Sequence, residues 1–303
     1  MKFQEINRRQ FIKSSAVAAA GTALLSGWGT QTAFAAATKR TATDQVTLGK
    51  TGVKLSRLGV GTGSSNGAEQ VDQGKDAFIK MIHHAYDQGI TYIDTAQRYQ
   101  TFNWIGDAIK GLPREKLFIQ SKVPGQPEDV LAEIDKHRKA FNTDYVDSLL
   151  IHCMTDDNWT DKWKRVMDGF DQAKEKKWIR AKGVSCHELG ALQKAVASDW
   201  TETHLVRINP EGHYMDGKGT MWSREAVDVN PVMDQIKLMS AKGHGVIGMK
   251  IYGNGDFRNV DEREKSLRFA MSKPEINAIV IGFVSTAQID ETITRMNRIL
   301  AET

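Results

Sequence analysis

Gly89 to Tyr99 reads G-I-T-Y-I-D-T-A-Q-R-Y, and its reading decides the fold. Tyr92 and Ile93 form a short apolar, β-prone run that stops at Asp94, as a buried strand does when it ends on a polar residue. Two later segments repeat the design. Leu117 to Lys122 (L-F-I-Q-S-K) ends on a lysine, and Tyr145 to His152 (Y-V-D-S-L-L-I-H) ends on a histidine. The three polar ends are about 28 and about 30 residues apart, each interval the length of a strand, a crossover helix and a parallel strand. Equivalent ends of parallel strands lie side by side, so Asp94, Lys122 and His152 are expected on one rim, with Tyr99 on the loop above them.

D-T-A-x-x-Y after a strand, S-K at a strand end and L-L-x-H at a strand end resemble the aldo-keto reductases, residue by residue and in order. The resemblance runs from about Thr47 to Leu300; G-V-I-G-M-K at Gly245 to Lys250 and V-I-G-F at Val280 to Phe283 are similar to exported bacterial members. It implies a (β/α)8 TIM barrel of the α/β class, with residues 45–303 as the barrel domain. Val46 to Leu48 and Val53 to Ser56, joined by Gly49-Lys50-Thr51-Gly52, read as a β-hairpin. In the resembling family such a hairpin plugs the barrel bottom. Leu58 to Thr62 gives strand one, and Ile179 to Ser185, His204 to Ile208, Val246 to Lys250 and Ala278 to Ile281 complete eight strands. Helical stripes at Phe78, Met81, Ile82 and Ala85, at Trp163, Val166, Met167, Phe170 and Ala173, and at Ile289, Ile293, Met296 and Leu300 are expected to pack on the barrel.

Residues 1–37 read as a targeting segment instead of fold. N-R-R-Q-F-I-K (Asn7 to Lys13) precedes an Ala-rich apolar stretch, Ala16 to Trp28, and Ala33-Phe34-Ala35 is an A-x-A cleavage pattern. The arginine pair marks a twin-arginine signal peptide, with the Tat export machinery as partner and the periplasm as destination. Cleavage after Ala35 leaves about 268 residues, a usual length for one barrel. The formal net charge of +4 loses most of its excess with Lys2, Arg8, Arg9 and Lys13, so nothing points to nucleic acid or to anionic lipid. No later segment is long and apolar enough to span a membrane. Cys153 and Cys186 match no metal or disulfide framework, and they read as buried or rim thiols in a compartment that permits a disulfide. Asp147 reads as structural; His83 and His84 read as outer-layer residues without carboxylate partners; no metal is expected.

What the resemblance implies chemically is a tetrad for hydride transfer between a nicotinamide cofactor, NADP or NAD, and a small-molecule carbonyl or alcohol substrate. Tyr99 is the general acid/base, Lys122 lowers the pKa of its phenol, Asp94 holds the ammonium, and His152 bonds the carbonyl oxygen. Gly61-Thr62-Gly63 lets the backbone approach the nicotinamide. Ser185 stands at the carboxamide position, followed by Cys186 where an Asn is usual, and Arg207 stands where Gln is common. Gly282, Phe283, Ser285 and Thr286 lead into the last helix, whose N-terminus suits phosphate, with Gln288 and Glu291 near the adenine. That loop lacks a cation, so weak NADP over NAD discrimination is expected unless Lys250 or Arg258 reaches across. The loop from Asn209 to about Asn230, which carries Tyr214, Met215 and Trp222, and the pair Phe102 and Trp104 are the expected pocket walls; His187 and His213 lie in the same loops.

Two other classes compete. A non-catalytic cofactor-binding or regulatory barrel would keep the cofactor without turnover, although it has no need of an activated tyrosine. A metal-dependent barrel hydrolase would need His and carboxylate ligands on several strand ends, and an H-x-H strand is absent. Replacing Arg8 and Arg9 together by lysine is expected to strand the protein in the cytoplasm, because the transport receptor reads the paired guanidinium groups; normal recovery in a periplasmic fraction would refute the signal assignment.

Overall fold

The computed structural model describes residues 40–302 apart from Lys218, Thr220 and Trp222. The targeting segment and the expected wall residue Trp222 lie outside the described residues. Strands β3 (Leu58–Gly61), β4 (Tyr92–Asp94), β5 (Phe118–Pro124), β6 (Val146–Met154), β7 (Ile179–Cys186), β8 (Thr203–Arg207), β9 (Gly245–Met249) and β10 (Ala278–Gly282) close into a barrel. They follow one another around it in sequence order, all parallel, and β10 pairs β3. Each strand lies within two residues of its expected bounds, because each is a short β-prone run bounded by polar or Gly residues.

Helices α1 (Lys75–Asp87), α2 (Val130–Phe141), α3 (Lys164–Glu175), α4 (Leu189–Ala197), α5 (Asn230–Lys242), α6 (Val260–Met271) and α7 (Thr286–Glu302) form the outer layer. Phe78, Met81, Ile82 and Ala85 of α1 are all under 4 % exposed, as expected, whereas Met167, Ile293 and Trp163, which precedes α3, are only partly buried against the core. The crossover from β4 to β5 departs from expectation. In place of a full helix it holds a 3-10 turn, Phe102–Trp104, and one α-turn, Ile105–Ala108. Gly111 and Pro113 follow at once, and neither continues a helix.

Period-two alternation along the strands sorts the barrel interior into layers. Tyr92, Phe118, Leu150, Ala181, Leu205, Ile247 and Ala278 form the lower, apolar layer. Gly59 leaves room for the Tyr92 ring, since a Cβ there would sit 2.1 Å from it. Antiparallel strands β1 (Gln45–Thr47) and β2 (Lys54–Ser56) make the expected hairpin, and Leu48, Val53 and Leu55 join this same cluster from below. The hairpin therefore stoppers the barrel, and the Lys50 N–H donates to Gly243 O at 2.7 Å beside β9. Leu48 is fully buried, so Leu48→Ala should destabilise the protein by about 2–5 kcal/mol. Chemical denaturation monitored by fluorescence checks this; a loss well under 1 kcal/mol would mean that the stopper is not part of the cooperative core.

Candidate active site

Above the apolar layer, successive inward positions turn polar. Gln120, on β5, donates from Nε2 to Tyr92 OH and to Asp94 Oδ1, both at 2.9 Å, and accepts from Ser148 Oγ at 3.0 Å. One residue pair higher, Lys122 Nζ donates to Asp94 Oδ2 and to the Thr95 carbonyl, each at 2.8 Å, and reaches Tyr99 OH at 3.4 Å. The ammonium also lies 5.0 Å from the Tyr99 ring centre. His152 meets the Tyr99 ring edge-on, with ring centres 5.8 Å apart. The four residues expected together on one rim are together, and Gly63 makes room for the Tyr99 ring, which a Cβ at that position would approach to 2.3 Å.

Burial raises the Tyr99 phenol above its ordinary value of 10; Lys122 pulls it down and Asp94 pushes it up. Lys122 does act in the expected direction, but burial outweighs it, so the hydroxyl stays protonated at neutral pH. Burial pulls Lys122 down, and Asp94 with Tyr99 more than compensates, leaving the ammonium firmly charged. His152 is held at about 3 by burial, then by the nearby charges of Lys122 and Arg98, so its imidazole is neutral. Its Nδ1 is buried without a hydrogen-bond partner among the described residues.

A cavity of about 460 Å³ runs from Asp94 and Tyr99 to the start of α7. Of the residues expected to hold a cofactor, Gly61, Lys250, Gly282, Phe283, Gln288 and Glu291 line it. Ser285 instead caps α7, accepting the Gln288 N–H at 3.3 Å, and Thr286 is the first residue of that helix. Thr62 and Ser185 do not line the cavity; both are buried, with hydroxyls that have no partner among the described residues. Arg258 also lines the cavity, as does Arg263, which sequence reasoning missed because it sits one turn into α6 with no motif around it. Arg263 Nη2 donates to Glu291 Oε1 at 3.1 Å, which links α6 to α7 across the cleft.

Several expectations are corrected. Arg207 is turned away into the long loop: it is 1 % exposed, pairs with Asp216 at 2.6 Å and donates to Met221 O and His187 O. Three of its N–H groups are thereby spent on the loop and on His187 O, and the side chain does not line the cavity. Phe102 and Trp104 are not pocket walls, since Phe102 packs on His137 and Phe141 and Trp104 on Phe78. His84 does have a carboxylate partner, Asp290 Oδ1 at 2.7 Å, and no group of potential metal ligands occurs among the described residues. Cys153 and Cys186 are free thiols, and Cys153 Sγ lies 3.4 Å from His187 Nδ1. Asp147 is structural as expected, buried and paired with Arg114 and Arg180.

The residue pattern of the Aldo/keto reductase family matches 57–300, and that of the TAT (twin-arginine translocation) pathway signal sequence matches 5–24. The chain belongs to the aldo/keto reductase family. It is 33 % identical over 133 residues to glyoxal reductase of Bacillus subtilis, covering 42 % of this chain and 46 % of that one. It is 27 % identical over 143 residues to a methylglyoxal reductase of Salmonella typhi, covering 45 % and 53 %. The chain thus spans about half the length of the curated relatives it matches. Among solved structures, a putative aldo-keto reductase from Pseudomonas aeruginosa superposes with TM-score 0.69 at 19 % identity, over 86 % of this chain and 97 % of that one. One from Klebsiella pneumoniae, crystallised with NADPH, gives 0.61 at 18 % identity, over 84 % and 89 %.

Because Asp216 is fully buried and its carboxyl is pushed up to about 6 by that burial against the pull of Arg207, the pair is costly to break on one side only. Asp216→Asn should destabilise the protein by about 3–5 kcal/mol, and Arg207→Met with Asp216→Leu should recover much of the loss. A double mutant no more stable in urea than Asp216→Asn would contradict that account.

Proposed function

We propose that this protein is an oxidoreductase that moves hydride between NADP or NAD and a small carbonyl or alcohol, with Tyr99 as the proton donor in reduction. The observation that carries this reading is the contact of a charged, buried Lys122 with both Asp94 and the Tyr99 hydroxyl, two groups that line the cavity. A bound nicotinamide supplies the hydride. The cavity fits such a group: it reaches from Asp94 and Tyr99 to the N-terminal turns of α7, and it carries Arg258 and Arg263 for phosphates. The relatives named as reductases of glyoxal and methylglyoxal support reduction of a small carbonyl.

The residues divide the work. Neutral His152 orients a carbonyl oxygen by hydrogen bonding, and Tyr99 gives its proton to that oxygen as negative charge develops there. Lys122 then stabilises the phenolate left behind, and Asp94 and the Thr95 carbonyl keep the ammonium aimed. Gln120 fixes Asp94 from below, so its amide acts as a positioning group. We also propose residues 1–37 as the export signal, residues 45–303 as the catalytic barrel and the periplasm as the place of work, after passage through the Tat machinery.

Tyr99→Phe should lower turnover about 10²- to 10⁴-fold with little change in NADPH affinity, and a variant reducing carbonyls at the wild-type rate would remove Tyr99 from the reaction. The raised phenol pKa also sets a pH profile. Donation needs the protonated form, which persists below that pKa, so reduction of a neutral aldehyde should be flat from about pH 6 to about pH 9 and decline only above about pH 10. A fall centred near pH 7 would assign proton delivery to another group.

A further inference from the structure

Resting on the cavity reading above, we propose that Lys250 forms an anion subsite for the substrate, so that the enzyme prefers carbonyl compounds bearing a carboxylate close to the reacting carbonyl. Lys250 ends the run that β9 begins and lines the same cavity as Asp94 and Tyr99. The other cations that line that cleft are Arg258, in the loop before α6, and Arg263, within α6. Lys122 is bound to Asp94, and Arg263 is bound to Glu291 at the α7 side. Lys250 has no carboxylate within ion-pair distance among the described residues; its ammonium contacts only the amide oxygen of Asn254.

Its backbone is held at φ 60, a left-handed conformation that costs a lysine energy, and the conformation is fixed by Lys250 O accepting from Gly253 N at 2.9 Å and from Asn209 Nδ2 at 3.4 Å. Burial, together with the charges of Arg207 and Lys122, pulls its pKa down to about 8. A cation kept in a strained, cation-rich site without a counter-ion is stabilised when a ligand brings negative charge. Two sources carry such charge, a substrate carboxylate and the cofactor's phosphates. Arg263 of α6 bonds Glu291 of α7, and Arg258 stands just before α6, so these two cations line the cleft where phosphates would be met at the start of α7. Lys250 directly follows the last residue of β9, at the same end of the parallel barrel as Asp94, the last residue of β4, which favours the substrate.

The test compares 4-carboxybenzaldehyde with its methyl ester, which share one carbonyl and differ in charge, on the NADPH-loaded enzyme. The ratio of kcat/KM for acid over ester should fall about 10- to 100-fold in Lys250→Met, and Lys250→Arg should restore most of it. Should Lys250→Met not fold, Lys250→Asn serves, because asparagine tolerates the left-handed backbone. NADPH affinity is read in parallel by fluorescence titration. An unchanged ratio overturns the proposal, and so does an equal loss for both aldehydes accompanied by weakened NADPH binding, which would give the ammonium to the cofactor. If the wild type reduces neither aldehyde, the oxidoreductase reading fails, and benzoate titrated calorimetrically into the same protein decides the subsite separately. Benzoate bound by wild type but not by Lys250→Met upholds it, and benzoate bound by neither overturns it.

Discussion

A single buried ion pair organises the upper barrel. Lys122 is 1 % exposed, and its ammonium survives there only because Asp94 Oδ2 and the Thr95 carbonyl accept from it at 2.8 Å. That need fixes β4 against β5, since the two partners stand on neighbouring strands. It also reaches downward: Asp94 has a second oxygen to satisfy, Gln120 supplies the donor, and Ser148 and Tyr92 complete the glutamine's bonds. The third direction is outward, to the Tyr99 hydroxyl. A charge that elsewhere would be a stability problem is here the centre of a satisfied network opening on one side to a cavity.

Below that network the constraint reverses, and the barrel excludes polarity. A closed eight-stranded sheet has an interior that side chains must fill. Tyr92 marks the boundary, its ring against Phe118 at 5.1 Å and its hydroxyl on Gln120. Leu48, Val53 and Leu55 seal the far end. Chemistry is thereby confined to the rim where the loops after the strands are long.

The tetrad was legible because it obeys strand periodicity: an apolar run with a polar terminus states both where a strand ends and which face its last residue takes. Gln120 was equally visible in L-F-I-Q-S-K, two positions before Lys122 and so on the same face, yet an amide inside an apolar run invites a reading as filler. Phe102 and Trp104 misled because aromatic residues next to Tyr99 suggest a pocket wall, while the shortened crossover turns them onto α1 and α2. Arg207 sits at a strand end like the tetrad residues, but sequence cannot say that Asp216, nine residues later, captures it. Arg263 and the His84–Asp290 pair depend on the approach of helices remote in sequence, which no local pattern records.

The loop following β8 is tied down by its main chain. Arg207 holds Met221 O, and Glu188 accepts the N–H groups of Gly219 and Met221 at 2.7 and 3.0 Å. Asn209 likewise grips both the N–H and the carbonyl of His213. Fastenings of this kind are indifferent to side-chain identity at the residues they hold. The loop's path can thus be inherited while its side chains drift, which separates the evolvability of its surface from the course of its backbone.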